Sequence, residues 1–488
     1  MASASIKEQT ISSAKWNGIE RITVYGIQFL LTLVLARLLM PTDYGIIGML
    51  AIFIEISQTF IDSGFQAALV RKTDVDDKDF STAFYFNVFV AILIYAILFC
   101  TAPVIADFFN QPILCSVLRV YSVSLFVNSF MVVQVSMLQI RLDFKSLAKR
   151  NISATIISGV IGIILAYLGF GVWALVWQNI AASLINLIFI CYVCRWIPRS
   201  PFSKQSFKYL WFFGSRMLGA GLLNTVYKNL TTLAIGKFYS ADDLGYYSRG
   251  SHFAHAPTHT VNGVLNTITY PILAKIQDDE SRLMGVYRKY IRMSSLVIFI
   301  MCGILAALGK PIVLLFLTEK WSSAIIFLQL FALGSMFDHM NTINLNLLKV
   351  KGRSDFFFRL EVVKKTIALI ILAISVPLGV LIICISKLIN NQIAIVINTY
   401  YTGKLFHLGY LQQMKDISPF LGRCIIACLP AYAMTFLDLP HLITIMIGVT
   451  VSLLFYWLML RRNPDMMELI GLVKDKFRKK NEKNMAID

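Results

Sequence analysis

The sequence predicts an all-α integral membrane protein. It should have about fourteen transmembrane helices, arranged as two parallel six-helix repeats followed by two further C-terminal helices. Three observations lead there. The chain of 488 residues is 57% hydrophobic and 15% charged, where a soluble domain carries about 25% charge. Its apolar runs are long and continuous, with no two-residue alternation, so helices satisfy the backbone in lipid better than a barrel does. Finally, one short turn is written twice: ARLLMPTDYGIIGML at 36–50 and GKFYSADDLGYYSRG at 236–250 share a cation (Arg37, Lys237), an acid (Asp43, Asp243) and a glycine (Gly45, Gly245).

About 20 apolar residues cross the hydrocarbon core. That ruler places spans at 18–39, 44–66, 82–106, 113–139, 152–170, 172–194, 209–236, 247–272, 290–309, 322–348, 360–377, 379–400, 418–437 and 441–460. Tight turns at Gly169–Gly171 and Pro377–Gly379 join the fifth to the sixth and the eleventh to the twelfth. The second and eighth are the least apolar, and a count of twelve follows if they are left out. Lys and Arg fix the orientation, because cytoplasmic loops collect them. About 33 of the 45 fall on one side of this topology, and about three (Lys237, Lys310, Lys320) on the other. Both termini are therefore expected in the cytoplasm. The net charge of +18 then faces anionic lipid rather than nucleic acid.

The duplication continues beyond the turn. Arg71–Asp77 parallels Lys275–Asp279, Asp143-Phe144 parallels Asp355-Phe356, and Gly171-Val172 parallels Gly379-Val380. Six spans are an even number, so both copies enter the membrane the same way up. That is a parallel-repeat transporter, with its substrate site between the halves. The expected divisions are an N-terminal six-helix lobe (1–200), a C-terminal six-helix lobe (201–408), two additional transmembrane helices (409–462) and a basic amphipathic cytoplasmic tail (463–488). In the tail, Met466, Ile470, Val473 and Phe477 share one helical face among lysines and arginines; a solvated tail is the alternative.

Ionisable groups inside spans are costly and mark cavities. Arg21 and Arg216 occupy corresponding places in the first span of each repeat. Lys228 lies further along the same helix as Arg216, and Arg249 opens the eighth span. These four form the expected cationic cavity for an anionic head group. Glu55, Asp62, Asp338 and His255 are the candidates for ion coupling, with H+ or Na+ as the ion. His252, His255 and His259 share a helical face, on a span also rich in Thr and Asn (Thr258, Thr260, Asn262, Asn266, Thr267 and Thr269); cavity lining, proton carriage and metal binding all fit the histidine spacing. His255 and His259 lack the glutamate of a zinc-protease helix, and Cys191 with Cys194 lacks two further ligands, so no metal site and no cofactor is expected. No Walker loop or nucleophile elbow appears, so the chain is not expected to be an enzyme.

Several stretches carry a resemblance: LARLLMPTDYGIIGMLAIFIEISQTFIDSGFQAALVRK, LQIRLDFKSLAKR, GFGVWALVWQ at Gly169–Gln178, LGYYSRG followed by ITYPILAKIQDD, and INLNLLKVKGRSD. In order, across most of residues 17–365, they resemble bacterial polysaccharide flippases. These are the Wzx-type lipopolysaccharide, O-antigen and colanic-acid exporters of the MOP superfamily, which share the MATE-like fold. The resemblance implies a flippase for an undecaprenyl-pyrophosphate-linked oligosaccharide in the bacterial inner membrane, with a cationic lumen. It further implies alternating access, a polysaccharide polymerase and a chain-length regulator as partners, and a groove for the polyprenyl tail along the last two spans. Two transporters of the same fold are the alternatives: a drug/cation antiporter, which would favour an acidic, aromatic cavity, and a peptidoglycan-precursor flippase. A membrane glycosyltransferase would need a large outer loop, and the outer loops here are short.

Overall fold

A computed structural model describes the backbone of residues 2–352 and 354–471. It describes their side chains except at 2–11, 14, 257, 259, 260, 264, 266–268, 354, 355, 357 and 358. Every regular element among these residues is helical. The chain forms two compact units, Met1–Gly245 and Tyr246–Asp488.

The first unit contains α1 (Ala2–Leu38), α2 (Pro41–Asp62), α3 (Phe65–Arg71), α4 (Asp77–Phe108), α5 (Ile113–Tyr121), α6 (Val123–Ser129), α7 (Val132–Ile140), α8 (Phe144–Tyr167), α9 (Val172–Cys194) and α10 (Lys204–Phe238). The expected fourth span is broken into α5, α6 and α7. At the breaks the hydroxyls of Ser122, Ser124 and Ser129 each bond a carbonyl three residues back, which offers the backbone an alternative to the helix ladder. The turn between α8 and α9 is as tight as the sequence suggests, with positive φ at Gly169 and Gly171.

Helix α10 was expected in the lobe 201–408, and it packs along α2 in the first unit. The two run antiparallel, and small residues allow the approach. A Cβ on Gly214 would lie 2.6 Å from the Ser63 carbonyl oxygen, and one on Gly221 would lie 3.1 Å from the Thr59 methyl. At the α3 end, Phe207 and Trp211 close the seam against Phe65 and Phe86. The segment before α10 is held down too. The Trp196 indole N–H and the Ser200 hydroxyl both donate to Asp77 at the start of α4 (2.8 and 2.9 Å).

The second unit contains most of α11 (Ala241–Lys275), then α12 (Glu280–Ala307), α13 (Gly309–Phe316), α14 (Ala324–Ser335), α15 (Asp338–Val350), α16 (Ser354–Ser375), α17 (Val380–Phe406), α18 (Tyr410–Met434) and α19 (His441–Leu460). The expected tenth span is broken between α14 and α15, as the expected fourth is among α5, α6 and α7. The core surrounds α12, with Tyr287, Phe299, Met340, Leu347 and Phe420 buried together. The two additional helices are tied to this core. The Tyr456 hydroxyl donates to Leu296 (3.1 Å), and Cys424 packs on Phe299 and Gly303. Arg288 holds Asp416 through two bonds (2.8 and 2.6 Å), and Arg292 holds Asp465 beyond α19 (2.9 and 3.2 Å). Arg292, which reads in sequence as a cation at a helix end, is thus an ion-pair anchor. The tail is helical over 464–471, where Glu468 pairs with Lys289. Val473, Phe477 and the tail lysines lie outside the described residues.

Ten helices among the described residues are long and apolar enough to cross a membrane, including the second expected span, Pro41–Arg71. The expected spans at 209–236, 247–272, 322–348 and 360–377 fall on α10, α11, the α14–α15 pair and α16. Helices α10 and α11 carry the polar and charged residues from which the cavity was expected. A helix that lines a wet interior need not be apolar all round.

The repeated turn has a physical basis. Asp43 accepts from the Met40 backbone N–H (2.9 Å), and Asp243 accepts from that of Ser240 (3.2 Å). Each acid closes the first turn of its helix. Asp76, Asp143 and Asp279, from the other duplicated stretches, likewise cap α4, α8 and α12.

Candidate functional site

The expected residues fall into one group in each unit. In the first, Glu55 on α2 and Lys228 on α10 meet across the helix seam, with Nζ 3.4 and 3.5 Å from the two carboxylate oxygens. Both side chains are open, Lys228 at 68% and Glu55 at 40% exposure. The Asn229 amide donates to Glu55 at 2.8 Å and so fixes the carboxylate whether or not Lys228 is engaged. Thr59 and Thr225 touch one turn further along (3.3 Å). Asp62 accepts from Gln58 (2.9 Å), and Gln58 accepts from Asn128 on α6 (3.3 Å). A polar strip therefore follows α2 from Glu55 to Asp62. A residue expected to bind substrate, Lys228, and one expected to couple an ion, Glu55, prove to be partners.

Arg21 is exposed and has no hydrogen-bond or ion-pair partner among the described residues. Its neighbour Glu20 accepts instead from Asn151 on α8, whose own oxygen holds Arg150 (2.8 and 3.0 Å). The local Glu20–Arg21 pairing that would have explained the arginine away is absent. Arg216 is also exposed, with its guanidinium 4.4 Å from the Phe212 ring centre. A cation held over an aromatic face keeps its N–H groups for another partner.

In the second unit, Asp338 opens α15 at the break after α14. It accepts from Asn391 on α17 (2.9 Å). Asn341 donates to Asn391 (2.8 Å), and Asn398 donates to Asn341 (2.7 Å), so an amide ladder ends on the carboxylate. His255 Nδ1 lies 2.8 Å from the Ser335 hydroxyl and 3.9 Å from Asp338. The structure thus brings His255 and Asp338 together. It adds Lys387, which bonds the Tyr247 hydroxyl (3.2 Å) and lies 5.3 Å from the Phe331 ring centre. Arg249 is half-buried on α11. His252 is exposed, and the His259, Thr260, Asn266 and Thr267 side chains lie outside the described residues. Among the described residues no group of three or more His, Cys, Asp or Glu is placed to hold a metal ion.

Sequence reasoning missed Asn229, Asn391, Ser335 and Lys387 as site members. An intramembrane lysine was a usable signal; an asparagine in a span carries none until its partner is known.

A bundle of long apolar helices with polar groups at its breaks and seams defines a multi-pass membrane protein. Comparison with known proteins gives it a family. Residues 34–326, more than half of the chain, match the family described as polysaccharide biosynthesis protein, and the chain belongs to it. It is 26% identical over 364 residues to the teichuronic acid biosynthesis protein TuaB of Bacillus subtilis (strain 168), covering 72% of this chain and 74% of that one. It is 25% identical over 367 residues to the lipopolysaccharide biosynthesis protein WzxC of Escherichia coli (strain K12), covering 74% of each. Among solved structures, the lipid II flippase MurJ in an inward closed conformation superposes with a TM-score of 0.72 at 14% identity, over 92% of this chain and 99% of that one. An inward-facing multidrug resistance MATE family transporter of the MOP superfamily follows at 0.57 and 15%, over 82% and 95%. The fold is related to that of these MurJ and MATE structures. The protein is a multi-pass membrane protein of the polysaccharide biosynthesis family.

Proposed function

We propose that the chain flips an undecaprenyl-pyrophosphate-linked oligosaccharide across the bacterial inner membrane by alternating access, with both termini in the cytoplasm. The observation that carries this reading is the pair of exposed arginines, Arg21 and Arg216, neither held by a carboxylate. Arginine's planar fork suits a pyrophosphate, and an arginine in a span without a carboxylate partner marks a candidate cavity. Lys228 is a third cation within the same unit. Its pair with Glu55 is long and open, so a phosphate displaces it at small cost. Arg249 completes the set read from the sequence. Glu55, Asp62, Asp338 and His255 are the groups proposed to couple H+ or Na+, and the polyprenyl tail remains outside in lipid.

The test is complementation. Wild type, Arg21→Ala and Arg216→Ala are expressed in a bacterium lacking its own polysaccharide flippase, and surface glycan is blotted against membrane expression. The expected result is glycan with wild type and its loss in well-expressed arginine variants. Full export by both variants would remove the arginines from the reading. No export by wild type, together with dye efflux, would replace the flippase with a drug antiporter.

A further inference from the structure

The turn that the sequence writes twice meets its own copy. Pro41–Gly45 opens α2 and Ala241–Gly245 opens α11, and all of these residues lie in the first unit. A Cβ on Gly45 would collide with the carbonyl group of Ala241, and a Cβ on Gly245 would collide with that of Pro41. The contact is reciprocal: the glycine of each turn receives the carbonyl that begins the other. Beside it the Thr42 hydroxyl donates to the Asp242 carboxylate. One turn along α2, a Cβ on Gly48 would meet only the tip of Leu244, at 3.1 Å.

Both helix starts are stiff. Asp43 and Asp243 each hold the N-cap N–H of their own turn. The clash at either glycine would be with backbone, so no rotamer change relieves it. Only glycine allows backbones this close. The contact itself is made by glycines, carbonyl groups and one hydrogen bond, while Ala241, Leu244 and Tyr44 are buried beside it. A fit this close between backbones is either made or broken, with little room for an intermediate.

We propose that Gly45 and Gly245 form a reciprocal seal at the outer end of the α2–α10 seam, and that this seal parts each time cargo leaves outward. The proposal rests on the transport reading above and on the orientation read from Lys and Arg. It deepens that reading by assigning the duplicated turn to the outward step. The polar strip at Glu55 and Lys228 lies behind the seal: residue 228 is ten residues before the end of α10, about 15 Å along a helix.

The test uses accessibility, which needs no cargo. Lys228→Cys is placed in the full chain and exposed in intact cells to a membrane-impermeant maleimide, with labelling of the native cysteines subtracted. It should be protected, and adding Gly45→Ala or Gly245→Ala should speed its labelling by about tenfold or more. Gly48→Ala, which meets only a movable side chain, should leave it within about twofold. Phe238→Cys, at the outer end of α10, should label from outside in every background, which fixes the side independently. In a second arm, Thr42→Cys with Asp242→Cys should form a disulfide that stops glycan export until it is reduced. Equal labelling of Lys228→Cys in all backgrounds, or full export by the cross-linked protein, overturns the seal. If the glycine variants fail to accumulate, the cross-link decides alone. Loss of the seal with export still dependent on Arg21 and Arg216 would leave the flippase standing. A working seal in a protein that exports no glycan would do the reverse.

Discussion

Individual side chains in this protein are judged by what each leaves behind when removed. Tyr287 is fully buried and donates to Asn344 at 2.7 Å. That oxygen also accepts from Thr402 and Gln413, both at 3.2 Å. Tyr287→Phe therefore orphans no acceptor and should cost about 0.5–1.5 kcal/mol. Gln413→Leu strips the Asn344 amide of its Gln413 acceptor and leaves the Leu408 carbonyl one donor short, and should cost about 1–3 kcal/mol. Thermal unfolding in detergent should rank the two in that order; the opposite rank would place the network's strength in the tyrosine. The Glu55–Lys228 pair predicts a different pattern. It is open to solvent, so Lys228→Ala should change stability by less than about 1 kcal/mol while lowering glycan export. A matched loss of melting temperature and export would make Lys228 a structural residue.

At the scale of elements, the α2–α10 seam depends on which glycine is substituted. Gly214 faces the Ser63 carbonyl at 2.6 Å, whereas a Cβ on Gly219 meets nothing within 4 Å. Gly214→Ala should destabilise by about 1–3 kcal/mol through overpacking. Gly219→Ala in the same helix should be neutral or stabilise by up to about 1 kcal/mol. Gly214→Ala should lower the melting temperature and Gly219→Ala should not; two equal losses would mean that the seam is not what the glycines serve. The broken fourth and tenth expected spans place backbone ends where continuous helices would bury them. In the second unit, Asp338 sits at such a break, and the Gly334 carbonyl accepts from Asn391 (2.9 Å). Hydropathy reads each broken span as one apolar run, because a serine or asparagine that takes a carbonyl from the ladder barely alters mean hydropathy.

At the scale of the molecule, orientation is the consequence to check. The Lys and Arg distribution is the basis for proposing that residues 1–17 and 463–488 face the cytoplasm. Alkaline phosphatase fused to either end should be inactive and a cytoplasmic fluorescent reporter active; the reverse at both ends would invert the topology. The helix ends on that side of the second unit are bound together by ion pairs. Arg288, Lys289 and Arg292 fasten α18 and the segment after α19 to α12, so the additional helices travel with the second unit.

The sequence by itself determined the membrane class, the helical composition and the tight turns at Gly169–Gly171 and Pro377–Gly379. These are properties of composition and of local spacing, and local backbone preferences enforce them without a partner. It also nominated Arg21 and Arg216, because a charge within an apolar run stands out wherever the run folds. Only the tertiary structure decided that Glu20 turns away from Arg21 to Asn151, that Glu55 meets Lys228, and that α10 lies along α2. It alone decided that the two copies of one turn touch through Gly45 and Gly245. Each of those depends on residues more than 100 positions apart, and a hydrogen bond or a glycine approach leaves no periodic trace in either segment alone.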